Sequence, residues 1–149
     1  MKKKSKVVIV SGYFNPIHIG HVRMIREAAK LGDFLYVIVN NDKQVKLKGS
    51  VPFMKELDRM EIVSLIKGVE YSLLSIDKDL TVCESLERLK GLGDVDMIFA
   101  NGGDRGKKNV PEVETCKRLG IDMAWNVGGK KIRASSELIS KAFKRGWKK

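Results

Sequence analysis

The chain contains two histidines, His18 and His21, which lie together in the segment Gly12-Tyr13-Phe14-Asn15-Pro16-Ile17-His18-Ile19-Gly20-His21. Imidazole rings donate directed hydrogen bonds near neutral pH, and a protonated ring also carries positive charge. A glycine between them leaves room for a ligand to approach the backbone closely. Residues of these types at this spacing predict a phosphate-handling active site.

The pattern around this segment is that of a strand, a glycine-bearing turn and a helix. An apolar run at 7–10 precedes the turn, and apolar residues recur at helical spacing over 22–31. In α/β proteins phosphate binds where a strand end meets a helix start, because unpaired N–H groups and the helix dipole supply positive potential. The histidines are thus predicted to lie where the backbone itself attracts phosphate.

Short apolar runs alternate with helical patterns along the whole chain. The predicted strands are 7–10, 34–39, 71–76, 97–100 and 123–125, and the predicted helices are 22–31, 53–67, 82–90, 111–119 and 136–145. Most runs lack polar alternation, which indicates strands covered on both faces. The predicted fold class is therefore α/β, a single-domain, Rossmann-like, doubly wound parallel sheet of five strands with helices on both faces. Thr81 and Glu84 match a capping box at the start of the third helix.

A doubly wound sheet binds its ligand beyond the carboxyl ends of the strands, where the strand order reverses. If the strands at 7–10 and 97–100 are neighbours, the histidine segment and the loop Asn101-Gly102-Gly103-Asp104-Arg105-Gly106 converge there. Both loops are polar and contain glycine. We expect them to face one ligand.

The length of 149 residues fits one domain. We expect a basic N-terminal tail at 1–6, a functional domain at 7–146 and a C-terminal tail at 147–149. The first apolar run is too short for a signal-peptide core, and no stretch approaches the roughly 20 apolar residues of a membrane span. Cys83 and Cys116 are far apart and lack metal-ligand spacing. These features predict a cytoplasmic protein with no membrane partner.

The formal net charge of +11 favours anionic partners. Nucleic acid and small phosphorylated molecules both qualify, and charge does not choose between them. The sequence has no helix-turn-helix signature, no zinc-finger spacing and no interleaving of aromatic and basic residues. Nucleic acid is therefore not the expected partner, although a basic module that binds nucleotide or nucleic acid without catalysis is an alternative.

Four motifs, in order, resemble one enzyme family. The histidine segment is similar to the HxGH signature of the cytidylyltransferase-like nucleotidyltransferases. Lys46-Leu47-Lys48-Gly49, Pro52 and Asp58-Arg59-Met60 resemble the middle of glycerol-3-phosphate cytidylyltransferases and heptose-1-phosphate adenylyltransferases. Asn101-Gly102-Gly103-Asp104 is most similar to the heptose branch, and Ala134-Ser135-Ser136-Glu137-Leu138-Ile139 resembles the final serine/threonine motif at a helix start.

This resemblance implies transfer of a nucleotidyl group from ATP or CTP to a phosphorylated sugar or polyol. An acceptor oxygen would attack the α-phosphate in line and release pyrophosphate, so that 7–146 is a nucleotidyltransferase domain. Mg²⁺ is the implied cofactor, bound mainly through the triphosphate, and a homodimer is the expected assembly. The Asn-Gly-Gly-Asp loop favours ATP with a sugar phosphate, and CTP with a polyol phosphate such as glycerol 3-phosphate comes next. Nicotinamide mononucleotide and phosphopantetheine are alternative acceptors.

The resemblance also implies roles for individual residues. The catalytic candidates are His18, His21 and Lys48, and the acceptor-binding candidates are Lys46, Lys48 and Arg59. The nucleotide-binding candidates are Gly12, Tyr13, Phe14, Asn15, His18, Gly20, His21, Asn101, Gly103, Asp104, Arg133, Ser135 and Ser136. Structural interpretations stay open for many of them, since histidines can cap a turn, lysines can be solvated, arginine can pair with a nearby acid and serines can cap a helix.

The sequence departs from the family pattern at a few positions. Asn15 stands where many relatives have aspartate, and Ala134 stands where a hydroxyl is frequent. Lys130, Lys131 and Arg133 make the stretch before the last helix unusually basic. One of these cations is a candidate for the positive charge that another arginine supplies elsewhere in the family.

Overall fold

The computed structural model describes residues 4–103, 110–129 and 135–144. Its elements are β1 (Lys6–Gly12), α1 (Ile19–Ala29), β2 (Phe34–Val39), α2 (Asp42–Leu47), α3 (Glu56–Ser64), β3 (Tyr71–Leu74), α4 (Cys83–Lys90), β4 (Asp96–Gly102), α5 (Glu112–Leu119), β5 (Asp122–Val127) and α6 (Ser135–Lys144). Five strands form one parallel sheet in the order β3-β2-β1-β4-β5. The predicted fold class is confirmed. No helix within the described ranges has the length and apolar character needed to cross a membrane.

The strand order reverses between β1 and β4. The chain builds outward from β1 through β2 to β3, then crosses to the other side of β1 for β4 and β5. β1 and β4 pair in parallel, with Val7 opposite Met97 and Ile9 opposite Phe99. The histidine segment follows β1, and Asn101 lies near the carboxyl end of the neighbouring β4, so the condition for the two loops to lie at the same edge of the sheet is met.

The central strand β1 is buried on both faces because helices cover the sheet from both sides. Val8 and Val10 pack in a cluster with residues of α1 and α3. Val7 and Ile9 point the other way and pack with residues of α4 and α5. None of the four side chains is more than 2% exposed. This two-sided burial explains the unbroken apolar run in the sequence.

The helix α2 is absent from the sequence-based prediction, which leaves 40–52 without an element. Asn41 caps it, since its side-chain oxygen accepts the N–H of Gln44 at 2.9 Å, and the Gln44 side chain accepts the N–H of Asn41 at 3.0 Å. The Asn-x-x-Gln spacing is a capping-box signal that the sequence displayed. The signal was easy to miss because the helix is only six residues long.

Two helices near the site begin at other residues than predicted. α1 starts at Ile19 rather than at 22, which makes His18 its N-cap residue. α3 runs over Glu56–Ser64 rather than 53–67. α1 begins at a capping box within its own first turn, in which the N–H of His18 donates to His21 Nδ1. The start of α3 contacts Asp42 through Glu56. Apolar spacing reports neither contact.

The predicted capping box at the start of α4 is wrong. The N–H of Glu84 donates to Asp77 Oδ2 at 2.7 Å, and the N–H of Ser85 donates to Asp77 Oδ1 at 3.1 Å. The carboxylate thus caps the helix from the turn after β3, a favourable position for negative charge. This turn also ends β3 at Leu74, before the predicted residue 76.

Candidate active site

The two predicted catalytic histidines lie at the first turn of α1. Their rings are stacked, with centroids 3.7 Å apart and planes inclined by 20°. The backbone N–H of His18 donates to Nδ1 of His21 at 3.2 Å. Since Nδ1 accepts this bond, a neutral His21 ring carries its proton on Nε2. The backbone of the helix start therefore sets the tautomer that makes His21 Nε2 a donor.

Phe14 packs against the histidine pair through His21. Its ring meets His21 edge to face at a centroid distance of 5.0 Å, and its side chain is buried. A Cβ atom on Gly12 would come within 2.7 Å of the Phe14 ring, so this ring position requires a glycine there. Both residues are nucleotide-binding candidates. Phe14 packs against the imidazole of His21, and Gly12 leaves the space that the Phe14 ring occupies.

The motif Lys46-Leu47-Lys48-Gly49 begins in the helix α2 and continues into residues 48–55, which we call the α2–α3 connection. Lys48 is the C-cap residue of α2, and its ammonium lies 4.2 Å from the centroid of the Tyr13 ring. A cation over an aromatic face is attracted by the ring quadrupole. The structure therefore brings Lys48 to the histidine segment. Lys46 lies exposed two residues earlier, in the last turn of α2.

Arg59, an acceptor-binding candidate, is fully buried, with 0% of its side chain exposed. Its Nε donates to the carbonyl of Met54 at 3.0 Å, and Nη1 donates to the carbonyls of Tyr13 and Asn40 at 2.7 and 2.6 Å. Nη2 contacts Asp42 Oδ1 at 2.7 Å. The guanidinium thus joins the histidine segment, the end of β2, α2 and the α2–α3 connection. This geometry favours a positioning role over contact with the acceptor.

The starts of α2 and α3 also bind each other directly. The N–H of Asp42 donates to Glu56 Oε1 at 2.8 Å, and the N–H of Glu56 donates to Asp42 Oδ2 at 3.3 Å. Each carboxylate lies at the N-terminal turn of its own helix, where negative charge is stabilised. Asp42 therefore pairs with Arg59 and also connects the starts of the two helices.

Asn15, a nucleotide-binding candidate, contacts the α2–α3 connection. Its Nδ2 donates to the carbonyl of Val51 at 2.9 Å, and its Oδ1 accepts the N–H of Phe53 at 2.6 Å. The side chain is 4% exposed. The carboxamide binds the connection as a neighbouring strand would, through one donor and one acceptor.

Backbone contacts bring β4 and β5 together on the other side of the site. Asn101 ends the buried part of β4, and its Nδ2 lies 3.4 Å from the carbonyls of Phe99 and Ala124. A Cβ atom on Gly103 would collide with the carbonyl oxygen of Gly129 and lie 2.7 Å from Asn126 Oδ1. Gly103 is therefore required for the loops after β4 and β5 to meet.

Two of the predicted site residues fall outside the described part of the chain, and three others lie at helix starts. Asp104 and Arg133 fall outside the described residues. Ser135 and Ser136 form the first turn of α6, which begins at Ser135 rather than at 136. Gly20 lies in the first turn of α1, between the two histidines. The structure thus gathers the histidines, Tyr13 and Lys48, with Asn101 on the adjoining strand.

Sequence reasoning did not identify Asp42 as part of the site's framework. The signal was present as Asn40-Asn41-Asp42, three polar residues directly after the buried strand β2. Polar side chains at the carboxyl end of a parallel strand border the ligand crevice of such a sheet. Here the Asn40 side chain donates to Gln44 Oε1, the Asn41 side chain donates to the carbonyl of Ser75, and Asp42 pairs with the Arg59 guanidinium.

The arrangement has the features of a site for phosphate chemistry. A helix start, two imidazoles and an ammonium converge, and all of them favour negative charge. The groups can donate hydrogen bonds to phosphate oxygens without any side chain acting as a nucleophile.

Comparison with known proteins points to one family. The family model described as Cytidylyltransferase-like matches residues 9–145. The FAD synthase of Thermoplasma acidophilum is 38% identical over 88 residues, covering 58% of this chain and 62% of that protein. The bifunctional protein HldE of Citrifermentans bemidjiense is 32% identical over 140 residues, covering 91% of this chain and 27% of that protein. This chain thus spans less than two thirds of either relative.

A solved structure has the same fold. The lipopolysaccharide core biosynthesis protein from Thermoplasma volcanium GSS1 superposes with a TM-score of 0.68 at 24% sequence identity. The match covers 87% of this chain and 99% of that one. At this level of identity the likeness concerns the fold, and it agrees with the five-stranded parallel sheet.

Proposed function

Because this chain belongs to the cytidylyltransferase-like family, we propose that it transfers a nucleotidyl group from a nucleoside triphosphate to a phosphate monoester. ATP is the proposed donor, and CTP is the second choice. The acceptor oxygen attacks the α-phosphate in line, and pyrophosphate leaves. Catalysis then depends on positioning and on stabilising the negative charge that develops on the phosphate oxygens.

His18 and His21 are the proposed catalytic residues. The N–H of His18 fixes His21 with Nε2 as the donor, at the positive end of α1. A donor held in this way costs no reorganisation when charge builds on the α-phosphate and the leaving pyrophosphate. The stacked pair, with Lys48 brought to it by Tyr13, is the observation that carries the proposal.

The lysines are proposed to bind the acceptor. Lys48 is exposed and lies on Tyr13 of the histidine segment, so its ammonium is close to the place where the two substrates must meet. Lys46 is exposed two residues before it, in the last turn of α2. Ammonium groups pair with a phosphate as mobile point charges, which suits an acceptor that must enter and leave.

The nucleotide is proposed to occupy the β4 side of the site. Its contacts would include Asn101, the glycine loop with Gly103 and Asp104, Arg133, and the start of α6 with Ser135 and Ser136. Two features support this assignment: the carboxyl end of β4 adjoins that of β1, and a helix start binds phosphate through its free N–H groups.

Magnesium is proposed to accompany the triphosphate. Among the residues that the structure describes, no group of three or more histidine, cysteine, aspartate or glutamate side chains is arranged to hold a metal ion. The ion is proposed to be held mainly by the phosphate oxygens, as the resemblance implies. When bound, such an ion neutralises charge on the departing pyrophosphate.

A sugar phosphate is the proposed acceptor, and flavin mononucleotide is the second candidate. The match to HldE over 91% of this chain favours the sugar phosphate. The 38% identity to an archaeal FAD synthase over 58% of this chain favours the flavin. Both acceptors present a phosphate on a polyhydroxylated carbon chain, so the same histidines and lysines serve either one.

Pyrophosphate release tests the proposal. ATP and CTP are each incubated with sugar phosphates, glycerol 3-phosphate and flavin mononucleotide, and products are identified by mass. We expect turnover with ATP and one acceptor class, and its loss in a variant carrying both His18→Ala and His21→Ala. Salt-sensitive oligonucleotide binding with no turnover for any pair would instead support the non-catalytic module.

The homodimer is also kept as a proposal. Apolar side chains lie exposed on α3 and the edge strand β3, with Leu65 80% and Tyr71 57% exposed. Exposed apolar groups of this kind are frequent in protein interfaces. Sedimentation equilibrium at micromolar concentration distinguishes a dimer from a monomer.

A further inference from the structure

We propose that Asn15 is a positioning residue that holds the α2–α3 connection against the histidine segment, and that its side chain does not contact the nucleotide. The proposal rests on the proposed function of the histidines and Lys48. It replaces the expectation, drawn from resemblance, that Asn15 binds nucleotide.

The Asn15 carboxamide has both ends engaged by the same short stretch of backbone. Nδ2 donates to the carbonyl of Val51 at 2.9 Å, and Oδ1 accepts the N–H of Phe53 at 2.6 Å. A carbonyl requires a donor and an N–H requires an acceptor, so the orientation of the amide is fixed. With 4% of the residue exposed, little of the side chain remains for a ligand.

Two side chains of the histidine segment therefore contact the α2–α3 connection, in addition to the buried guanidinium that binds carbonyls of both segments. Tyr13 lies under the ammonium of Lys48 at the start of the connection. Asn15, two residues later, binds the middle of the connection at Val51 and Phe53. The guanidinium and these two contacts together hold Lys48 near the histidines, and the Asn15 contact does not depend on a mobile lysine.

The tie requires an amide. A carboxylate of the same shape has no N–H for the Val51 carbonyl, and its charge would face that carbonyl oxygen in a largely buried place. Negative charge there would also oppose the binding of phosphate nearby. Alanine removes both hydrogen bonds. Aspartate therefore tests the donor to Val51, and alanine tests the whole contact.

Steady-state kinetics of Asn15→Asp and Asn15→Ala provide the main experiment. Since the connection carries Lys48, we expect the acceptor KM to rise about tenfold, while the ATP KM and kcat at saturating acceptor stay within about threefold. A rise confined to the ATP KM would assign Asn15 to the nucleotide and overturn the proposal. A loss of kcat with unchanged acceptor KM would also overturn it.

Ser72→Ala is the matched control for lost stability. The Ser72 hydroxyl donates to the carbonyl of Met60 at 2.8 Å and ties β3 to α3. Its loss removes one partly buried hydrogen bond at a place remote from the histidines. We expect both KM values of this variant to equal those of the unaltered protein. An acceptor KM that rises equally in Ser72→Ala would mean that general loosening, not Asn15, causes the effect.

Amide hydrogen exchange of the unaltered protein provides a readout that does not need activity. We expect the Phe53 amide to be protected, and its protection to be lost in Asn15→Ala while the amides of β1 stay protected. Exchange of the Phe53 amide in the unaltered protein at the rate of an unstructured peptide would overturn the proposal even if neither variant folds. If no acceptor is ever turned over, the proposed function fails, but this exchange measurement still tests the contact.

Discussion

The two halves of the site are held together in opposite ways. On the β2 side, the buried side chains of Asn15 and Arg59 reach backbone groups of other segments. On the β5 side, backbone approaches backbone, as where Gly103 meets Gly129, and a Cβ on Gly128 would come within 3.1 Å of Met24 Cα. The first half depends on side chains that reach across to backbone. The second also has the Asn101 amide 3.4 Å from the Ala124 carbonyl, but its closest approaches require side chains to be absent.

The difference matches the proposed roles of the two halves, since the β5 side is proposed to bind the nucleotide and the β2 side the acceptor. Close backbone approach suits a triphosphate, since N–H groups can bind its oxygens only where no side chain intervenes. The lysines on the other half are long and mobile, so the segment that carries them needs cross-linking to keep its position. Variants that act on one half and spare the other therefore test the comparison.

The largest expected effect is that of Arg59→Ala. The substitution leaves the Asp42 carboxylate and the carbonyls of Tyr13, Asn40 and Met54 without their donor. Breaking a buried ion pair by removing one partner costs about 3–5 kcal/mol. We expect a loss of this size in the free energy of unfolding, measured by urea denaturation.

The control for Arg59 is an arginine in an exposed ion pair. Arg118 lies 3.5 Å from Glu87, with 59% and 55% of the two side chains exposed. Such pairs contribute about 0–1 kcal/mol, so Arg118→Ala should unfold almost as the unaltered protein does. Equal losses in the two variants would contradict the cross-linking role of Arg59.

At the boundary between the halves, His21→Ala is expected to affect the chemistry more than the fold. Losing one preorganised donor to the developing charge lowers kcat by about 10²–10³-fold. His21→Gln places an amide N–H near the position of Nε2 and should retain more activity than the alanine variant. Turnover numbers, with circular dichroism to monitor folding, check this. Near-normal kcat in His21→Ala would remove the residue from the catalytic assignment.

On the β5 side, Gly103→Ala should disturb the nucleotide half alone. The added methyl group would collide with the carbonyl of Gly129, and forcing an extra group into such a contact costs about 1–3 kcal/mol. We expect the ATP KM to rise and the acceptor KM to stay unchanged. Gly93→Ala is the control, because a Cβ there meets nothing within 4 Å. An acceptor KM that rises with the ATP KM would mean that the halves are coupled.

The smallest effect concerns a buried thiol that belongs to neither half. Burial, then the charge of Glu112, then Cys83 raise the pKa of Cys116 to about 12, from a value of 9.0. The folded state thus favours the neutral thiol, so stability from this group is complete below pH 9 and falls as the pH rises toward 12. By pH 10 the loss is on the order of 1 kcal/mol relative to neutral pH.

The measurement compares unfolding free energies of the unaltered protein and Cys116→Ala between pH 7 and pH 10. Other groups titrate alike in both, so the difference isolates the thiol. We expect the variant to lose less stability over this range, with unchanged KM values for both substrates. Parallel curves for the two proteins would contradict the raised pKa.

The fold was predictable because its signals are local and agree with one another. The apolar run at Val7–Val10 is buried on both faces, as its lack of alternation indicated, and the histidine segment follows that strand. A doubly wound sheet requires a reversal of strand order, and the structure places that reversal between β1 and β4, which was the condition for the two loops to converge. Helix boundaries were less predictable, because long-range contacts such as Asp77 with α4 decide them.

The framework of the site could not be predicted from the sequence. Arginine, asparagine and aspartate can bind ligands or backbone, and their residue types do not tell which. Arg59 resembles a ligand-binding residue in its motif, yet its 0% exposed side chain contacts protein oxygens. Only burial and hydrogen-bond partners separate a residue that contacts substrate from one that positions a segment.

The partners of Arg59 and Asn15 in the α2–α3 connection are main-chain atoms, namely the carbonyls of Met54 and Val51 and the N–H of Phe53. The side chains of Val51 and Phe53 take no part in these hydrogen bonds, and the two residues are 61% and 42% exposed. Mutation at these two positions therefore leaves the anchors intact while it alters the surface beside Lys48. Substitutions at these two positions can therefore change the preferred acceptor during evolution without altering the fold. A directed-evolution library for new acceptors should vary these two codons first.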